Sequence, residues 1–312
     1  TARVWYLESG EFNLLEVHYA PVLHASFNAD GTQIVTASDD GTVRVWDLES
    51  GEFQLMEGHE SKGKSASIND ESTQVVTASA DDTARVWDIK SGASQLLEGH
   101  DDQVYRVNFN TDGTQVVTAS FDGTARIWDL KSSKANSPEG HTDRIYHASF
   151  DTSGTQVVTA SWGGTVGVWD LKSGKSQLLE GHESTVYRAS FNTDGTQIAT
   201  ASADGTARVW DLNSGEFQIL EGHQDEVHDA RFNADGTQVV TASRDGNAHI
   251  WDLNSGEFKT LEGHQDEVGR ASFNADGTQI VTASADGNAR VWDIKSGKFA
   301  LLEGHEGDLC ND

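Results

Sequence analysis

Residues 181–222 read GHESTVYRAS FNTDGTQIAT ASADGTARVW DLNSGEFQIL EG, and this stretch decides the fold. Turn residues cut it into four short runs. Val186–Phe191 is rich in β-formers and stops at Asn192-Thr193-Asp194-Gly195, a turn that places glycine where a positive φ is expected. Gln197–Ser202 runs into the tight turn Asp204-Gly205. Ala207–Leu212 contains Trp210-Asp211 and leads to Ser214-Gly215; Phe217–Leu220 follows and ends at Glu221-Gly222, before His223. Short runs with a turn signal roughly every 8–12 residues predict an antiparallel meander, with strands here called a, b, c and d. Neighbouring Val209 and Trp210 point to opposite faces of strand c, so both faces of the meander are apolar and it cannot bury them alone. The i, i+3, i+4 spacing of a helix is absent.

The same unit recurs along the chain. Trp46, Trp87, Trp128, Trp169, Trp210, Trp251 and Trp292 are spaced 41 residues apart, and Trp5 lies one period earlier. His18, His59, His100, His141, His182, His223, His264 and His305 keep the same beat, and only Trp162 falls outside the tryptophan register. A period in the low forties with Gly-His and Trp-Asp signatures is that of a propeller blade, and stacking blades about an axis covers both faces at once.

With Gly-His, Asp-Gly-Thr-Ala-Arg-Val-Trp-Asp and the 41-residue spacing, the chain resembles the WD-repeat family over essentially its whole length. The resemblance implies a β-propeller acting as a rigid, usually non-catalytic interaction platform. It also implies a hydrogen-bonded tetrad in each blade, formed by the His before strand a, the Ser of strand b, the Asp of the b–c turn and the Trp of strand c. The best copies are His100, Ser120, Asp122 and Trp128; His182, Ser202, Asp204 and Trp210; His223, Ser243, Asp245 and Trp251; and His264, Ser284, Asp286 and Trp292. The blade with His18, Ser38, Asp40 and Trp46 has Val17 for the usual Gly. The blade with His141, Ser161 and Trp169 has Gly163 in place of Asp, so a looser b–c turn is expected there. The blade with His59, Ser79, Asp81 and Trp87 has Gly63 for the usual Val and Ile68 for Phe in strand a, and is expected to be the least stable.

Counting strand a gives an all-β, seven-bladed propeller over 19–305. Residues 1–18 supply a surplus c–d pair or closure segment, and 306–312 form a tail. That pair could cap, exchange with another chain or begin an eighth blade, which makes an eight-bladed ring or incomplete eighth blade the alternative. The last blade could be completed locally by 288–304 or in part by 1–18.

Composition narrows the function. The net charge is −28 with 22 Lys and Arg against 50 Asp and Glu, so nucleic acid and anionic membrane are not expected partners. Acidity favours a basic protein partner. A single cysteine, Cys310, excludes an intrachain disulfide and a Cys-based zinc site. No apolar run reaches membrane length and no secretory signal is seen, so the cytoplasm is expected. The start at Thr1, already within a strand-like run, reads as a fragment or processed piece. Ser, His and Asp together suggest a catalytic triad, but they recur blade after blade, as a structural polar network would and a single nucleophile would not. The histidines lack metal-ligand spacing and the Asp-Gly turns lack the acidic positions of a calcium loop, so no metal or other cofactor is expected.

An internal comparison locates a binding face. The a–b turns are mostly Asn-Ala-Asp-Gly or Asn-Thr-Asp-Gly and the c–d turns mostly Ser-Gly, whereas the d–a and b–c segments, at the opposite end of a meander, vary. Tyr105, Phe121, Tyr146, Trp162 and Tyr187 come from three consecutive blades with Arg144 beside them, and Arg244 occupies the same b–c position in a later blade. Aromatic residues with arginine are typical of interface hot spots. The expected function is therefore a non-catalytic scaffold, monomeric, that holds a protein or peptide on this face. Two alternatives stand beside it: a sensor domain of a larger nucleotide-binding signalling protein, and a binder of a small ligand or sugar in the central channel.

Overall fold

In a computed structural model, described for residues 2–7, 9–132, 134–137 and 140–303, every regular element is a β-strand. Thr1, His305, Cys310 and the segment 306–312 lie outside the described residues. An N-terminal hairpin of β1 (Ala2–Tyr6) and β2 (Glu11–Leu15) precedes seven four-stranded antiparallel sheets in chain order. The first is β3 (Val22–Phe27), β4 (Gln33–Ser38), β5 (Val43–Asp47) and β6 (Phe53–Met56); the last is β27 (Val268–Phe273), β28 (Gln279–Ser284), β29 (Ala289–Asp293) and β30 (Phe299–Leu302). These are the seven blades of a propeller fold. The last blade takes its outer strand from its own β30, while β1 and β2 form a two-stranded sheet of their own.

The chain divides into two compact units, Thr1–Thr159 with Gly167–Gln177, and Ala160–Val166 with Leu178–Asn311. Within each, the core lies between successive blades. In the first unit, Val35, Ala37, Val43, Val45 and Met56 of the first blade pack on Ala66, Ile68, Val75 and Trp87 of the second. In the second unit, Val240, Ala242, Ala248, Ile250 and Leu261 pack in the same way on Val268, Ala271, Ile280 and Trp292. Each fully buried aliphatic side chain contributes about 1.5–3 kcal/mol, so the stability of a blade resides largely in its neighbours.

Strand a carries a bulge. In the first blade its pairing with strand b slips between Val22 and His24, and the slip recurs at Val104/Arg106, Val186/Arg188, Val227/Asp229 and Val268/Arg270. The slip falls at one residue of strand a in each of these blades, among them Tyr105, Tyr187 and His228.

The second blade departs from the repeat in a way that its strand a does not reveal. β7 (Gly63–Ile68) forms fully and pairs with β8 (Gln74–Ser79) with the common slip, and Ile68 is buried. The departures that carry a cost are Ser72 (φ 56°) and Asp82 (φ 68°). Every other blade has a left-handed glycine at these positions, such as Gly113 and Gly123. A side chain in this region costs about 1–2 kcal/mol, somewhat less for Asp. Burial and the surrounding carboxylates of Asp102, Asp81, Asp122 and Asp101 also raise the Asp82 pKa, so its charge is unwelcome as well. Ser72→Gly and Asp82→Gly are each expected to stabilise the protein by about 0.5–1 kcal/mol after glycine's entropy cost, seen as a higher melting temperature. An unchanged or lower melting temperature would contradict this account of the second blade.

Candidate functional site

Six of the seven blades are threaded by one complete polar relay, and the fourth keeps part of it. In the blade of Trp210, the indole Nε1 donates to Thr200 Oγ1 at 3.0 Å, Thr200 Oγ1 meets His182 Nε2 at 2.7 Å, and His182 Nδ1 meets Asp204 Oδ2 at 2.7 Å. Asp204 in turn accepts from the backbone N–H of Glu183 and from Thr206, tying the d–a segment to the b–c turn. All seven strand-c tryptophans from Trp46 to Trp292 make the threonine bond, at 2.9–3.1 Å.

The resemblance put Ser120, Ser202, Ser243 and Ser284 in this relay; the structure uses Thr118, Thr200, Thr241 and Thr282 in their place. Threonine and serine are two residues apart and share a face, but Trp210 stands opposite Ile198 in the ladder. Ser202 is thus about 13 Å along the strand from that point, beyond the indole's reach. The serines act at the turn instead. Ser120 Oγ donates to the Asp102 carbonyl at 2.9 Å and accepts from Asp122 N–H at 3.0 Å.

The polarity of the relay follows from its ionisation. Burial lowers the pKa of His182 against the opposing pull of Asp204, so the imidazole is neutral. Burial works against ionised Asp204, but the bonds from His182 and Thr206 prevail and hold its carboxyl far below the usual range. A carboxylate only accepts, so His182 Nδ1 carries the proton and Nε2 accepts from threonine. Thr118, Thr200 and Thr241 are completely buried, so the network presents no exposed nucleophile. Among the described residues, no group of three or more His, Cys, Asp or Glu is placed to hold a metal ion, and no helix is long and apolar enough to cross a membrane.

The fourth blade is the variant. His141 Nε2 keeps its contact with Thr159 Oγ1 at 2.6 Å, but Gly163 supplies no carboxylate. Ser161 Oγ turns to the Thr165 carbonyl at 3.1 Å and hydroxyl at 2.9 Å. The looser turn expected there is not seen in its main closing bond, Ser161 N–H to Thr165 O at 3.1 Å, which matches the other blades. Burial, only partly offset by Asp143, lowers the His141 pKa to about 4. Strand c has Gly167 where most blades have arginine, and a Cβ there would lie 2.6 Å from Thr159 Oγ1, 2.7 Å from Trp169 and 3.0 Å from His141 Nε2.

The d–a and b–c segments lie side by side at one end of each blade. Phe121 N–H donates to Gln103 O at 3.0 Å and Arg244 N–H to Glu226 O at 2.9 Å, and four other blades make the same link. At this end of the first unit, Tyr105, Phe121 and Tyr146 form one cluster. Tyr105 stacks on Phe121 (centroids 5.0 Å, planes 20° apart), and Tyr146 meets both edge-on at 5.5 and 5.4 Å. The exposed Arg144 covers the Phe121 ring at 5.1 Å. All three rings are half-buried.

The second unit presents a different surface at this end. Trp162 is 48% exposed on its b–c turn. Tyr187 Oη donates to Glu226 Oε2 at 2.7 Å and its ring lies 5.2 Å from His228. Arg244 lies between Glu226 and Glu267, at 3.6 and 3.7 Å. Sequence reading passed over Glu226 and Glu267. It also missed Asp229, fully buried on strand a and ion-paired with Arg188 at 3.0 Å and Arg231 at 3.1 Å. The one available signal was an acidic residue at a strand-a position that is Arg, His or Ser in the other blades.

With this geometry in place, comparison with known proteins gives one family. The profile of the WD domain, G-beta repeat (WD40), matches residues 11–47, 52–88, 93–129, 133–170, 174–211, 215–252 and 256–293. The chain belongs to the WD40 family. No curated protein matches it. WD40 repeats generally mediate protein–protein interaction as scaffolds and are typically non-catalytic.

Two outcomes follow from the relay. Thr118→Val orphans a buried imidazole nitrogen and a buried indole N–H, which is expected to cost about 2–5 kcal/mol in denaturant unfolding, against about 1 kcal/mol for Ser120→Ala. Equal losses would sink the assignment of threonine as the bridge. The pH dependence has a sign as well. Burial, with His223 stacked at 3.9 Å, lowers the His249 pKa to about 4. Unfolded histidine titrates near 6.5, so between pH 6.5 and 4 the unfolded chain binds more protons and stability falls on acidification. The relay aspartates, held low, add their loss only as the pH falls below about 4. His249→Arg is expected to flatten the stability loss between pH 6.5 and 4, read from urea midpoints across that range.

Proposed function

We propose that this chain is a non-catalytic scaffold that holds a basic protein or peptide on the end formed by its d–a and b–c segments, with Tyr105, Phe121 and Tyr146 as the anchor. The observation that carries this reading is the mutual packing of three half-buried rings at that end with an arginine over one of them. Rigid aromatic side chains lose little entropy on binding, and such clusters dominate interface energetics. Three features support it. The anchor residues occupy positions that vary between blades while the turns at the other end keep one template. Tyr105 sits at a strand-a bulge, beside the d–a segment. Acidic residues stand near the cluster in sequence, with Asp101 and Asp102 before Tyr105 and Asp143 before Tyr146, and the whole chain carries −28, which steers a basic partner.

Trp162, Tyr187 and Arg244 belong to the second unit and form no part of this anchor. Trp162 offers exposed aromatic surface, whereas Tyr187 and Arg244 are already engaged by Glu226 and would be recruited only by a ligand that displaces it. The protein works as a cytoplasmic monomer with no nucleic-acid or membrane ligand.

Affinity capture with the intact chain and with a Tyr105→Ser/Phe121→Ser/Tyr146→Ser variant tests the anchor, with Leu178→Ser on an outer strand as the control. The anchor variant is expected to lose the captured protein, with at least a hundredfold weaker Kd against the purified partner, on the order expected for two or three hot-spot residues. Binding by the intact chain is expected to weaken as salt rises from 0.05 to about 0.5 M. A partner that binds the anchor variant as tightly as the intact chain would overturn the proposal.

A further inference from the structure

Within each unit, a recurring pair of side chains bridges neighbouring blades at the d–a and b–c end. The d–a residue of one blade meets the b–c residue of the blade before it, 23 positions earlier in the chain. In the first unit Lys62 Nζ donates to Asp39 Oδ2 at 2.6 Å, and Arg144 lies over the Phe121 ring at 5.1 Å. In the second unit the Arg244 guanidinium stands 3.7 Å from the Glu267 carboxylate. Each of these three pairs sets a cation against an anion or the face of a ring. The pair of Glu226 and Ala203, one blade before Glu267 and Arg244, has the carboxylate and no cation, because alanine stands where the next blade has arginine.

The consequence is a cleft of about 460 Å³, within the range of ligand pockets. Its walls are residues 203–206 of the b–c turn and 221–226 of the d–a segment, all in the second unit. The lining carries the carboxylates of Asp204, Glu221, Asp225 and Glu226 and neither lysine nor arginine. Asp204 is committed to His182 and Thr206, so it adds negative potential rather than a contact. Glu226 is the oriented group. Tyr187 Oη donates to one of its oxygens at 2.7 Å, and a carboxylate accepts more than one bond at each oxygen. Arg244 stands 3.6 Å from the other oxygen, beyond hydrogen-bond length. Among the described residues no group of three or more His, Cys, Asp or Glu is placed to hold a metal ion, so these carboxylates suit an organic cation. The next blade names that cation, since the glutamate at the same place there already faces a guanidinium.

We propose that this cleft is a socket for an arginine side chain of a partner protein, whose guanidinium meets Glu226 as Arg244 meets Glu267. Arginine suits it better than lysine because the planar fork can engage a carboxylate through two bonds. The socket lies wholly in the second unit and does not require the aromatic anchor.

The probe is the tripeptide N-acetyl-Gly-Arg-Gly-amide, titrated into 15N-labelled protein and followed by NMR at the backbone amides of Ala203, Gly205 and Gln224. Saturable shifts are expected at these amides, with a Kd on the order of a millimolar for one anchored side chain. The citrulline peptide keeps the shape without the charge and is expected to bind at least roughly tenfold more weakly. Glu226→Gln should weaken the arginine peptide to the same extent, with the rest of the spectrum reporting an intact fold. Glu267→Gln, at the pair already filled, should leave the affinity unchanged. Ala203→Arg supplies the missing guanidinium from the chain itself and should abolish the shifts. The proposal is overturned if these amides do not respond to the arginine peptide, if citrulline or the Glu226→Gln variant binds equally well, or if Ala203→Arg changes nothing. Equal weakening by Glu267→Gln would also overturn it, because the peptide would then be following the general acidity of the surface.

Discussion

One shared oxygen organises each blade. The strand-b threonine hydroxyl joins an indole buried between blades to an imidazole at the blade's end, and in all blades but the fourth the imidazole passes the constraint to an aspartate that pins two loops. Every group in this line is satisfied only if strands b and c keep their register and the d–a segment folds back over the turn. The apolar packing between blades tolerates volume-conserving change, but the relay does not tolerate a slipped strand, because a slip of one residue turns the threonine to the other face. The hydrophobic surface provides most of the stability, and the relay selects which pairing receives it.

Fixing the loop ends so firmly has a consequence for function. The d–a and b–c segments can change side chains without changing backbone, because the Asp carboxylate and the backbone link between the two segments hold their path. The bulge in strand a extends this freedom to one strand residue per blade. The same scaffold therefore carries an aromatic cluster in one unit and a tyrosine–glutamate–arginine network in the other, with little difference in the strands beneath.

Most of the fold was legible because its signals are periodic. The Trp and His beats located the blades, and the turn residues placed the strand ends to within a residue, as with Gln197–Ser202. The threonine bridge was not legible because Thr200 and Ser202 occupy one face of one strand, and only the offset of Trp210 opposite Ile198 separates them. In the second blade, Gly63 and Ile68 stood out in the sequence, but β7 forms with the common register; the positive φ of Ser72 and Asp82 is a backbone property that residue identity alone does not display. The grouping of Tyr105, Phe121 and Tyr146 could be anticipated from their neighbouring blades. The partnership of Tyr187 with Glu226 could not, since a hydrogen bond between side chains 39 positions apart leaves no local trace.

The glycine in strand c of the fourth blade makes one substitution depend on its neighbours. The imidazole of His141, the indole of Trp169 and the hydroxyl of Thr159 crowd the space that a Cβ at Gly167 would need. An arginine introduced there alone meets an occupied site, although the same residue is accommodated in most other blades. The order of substitutions is thus constrained by sterics. A side chain at position 167 therefore fits only if the imidazole, the indole or the hydroxyl shifts first.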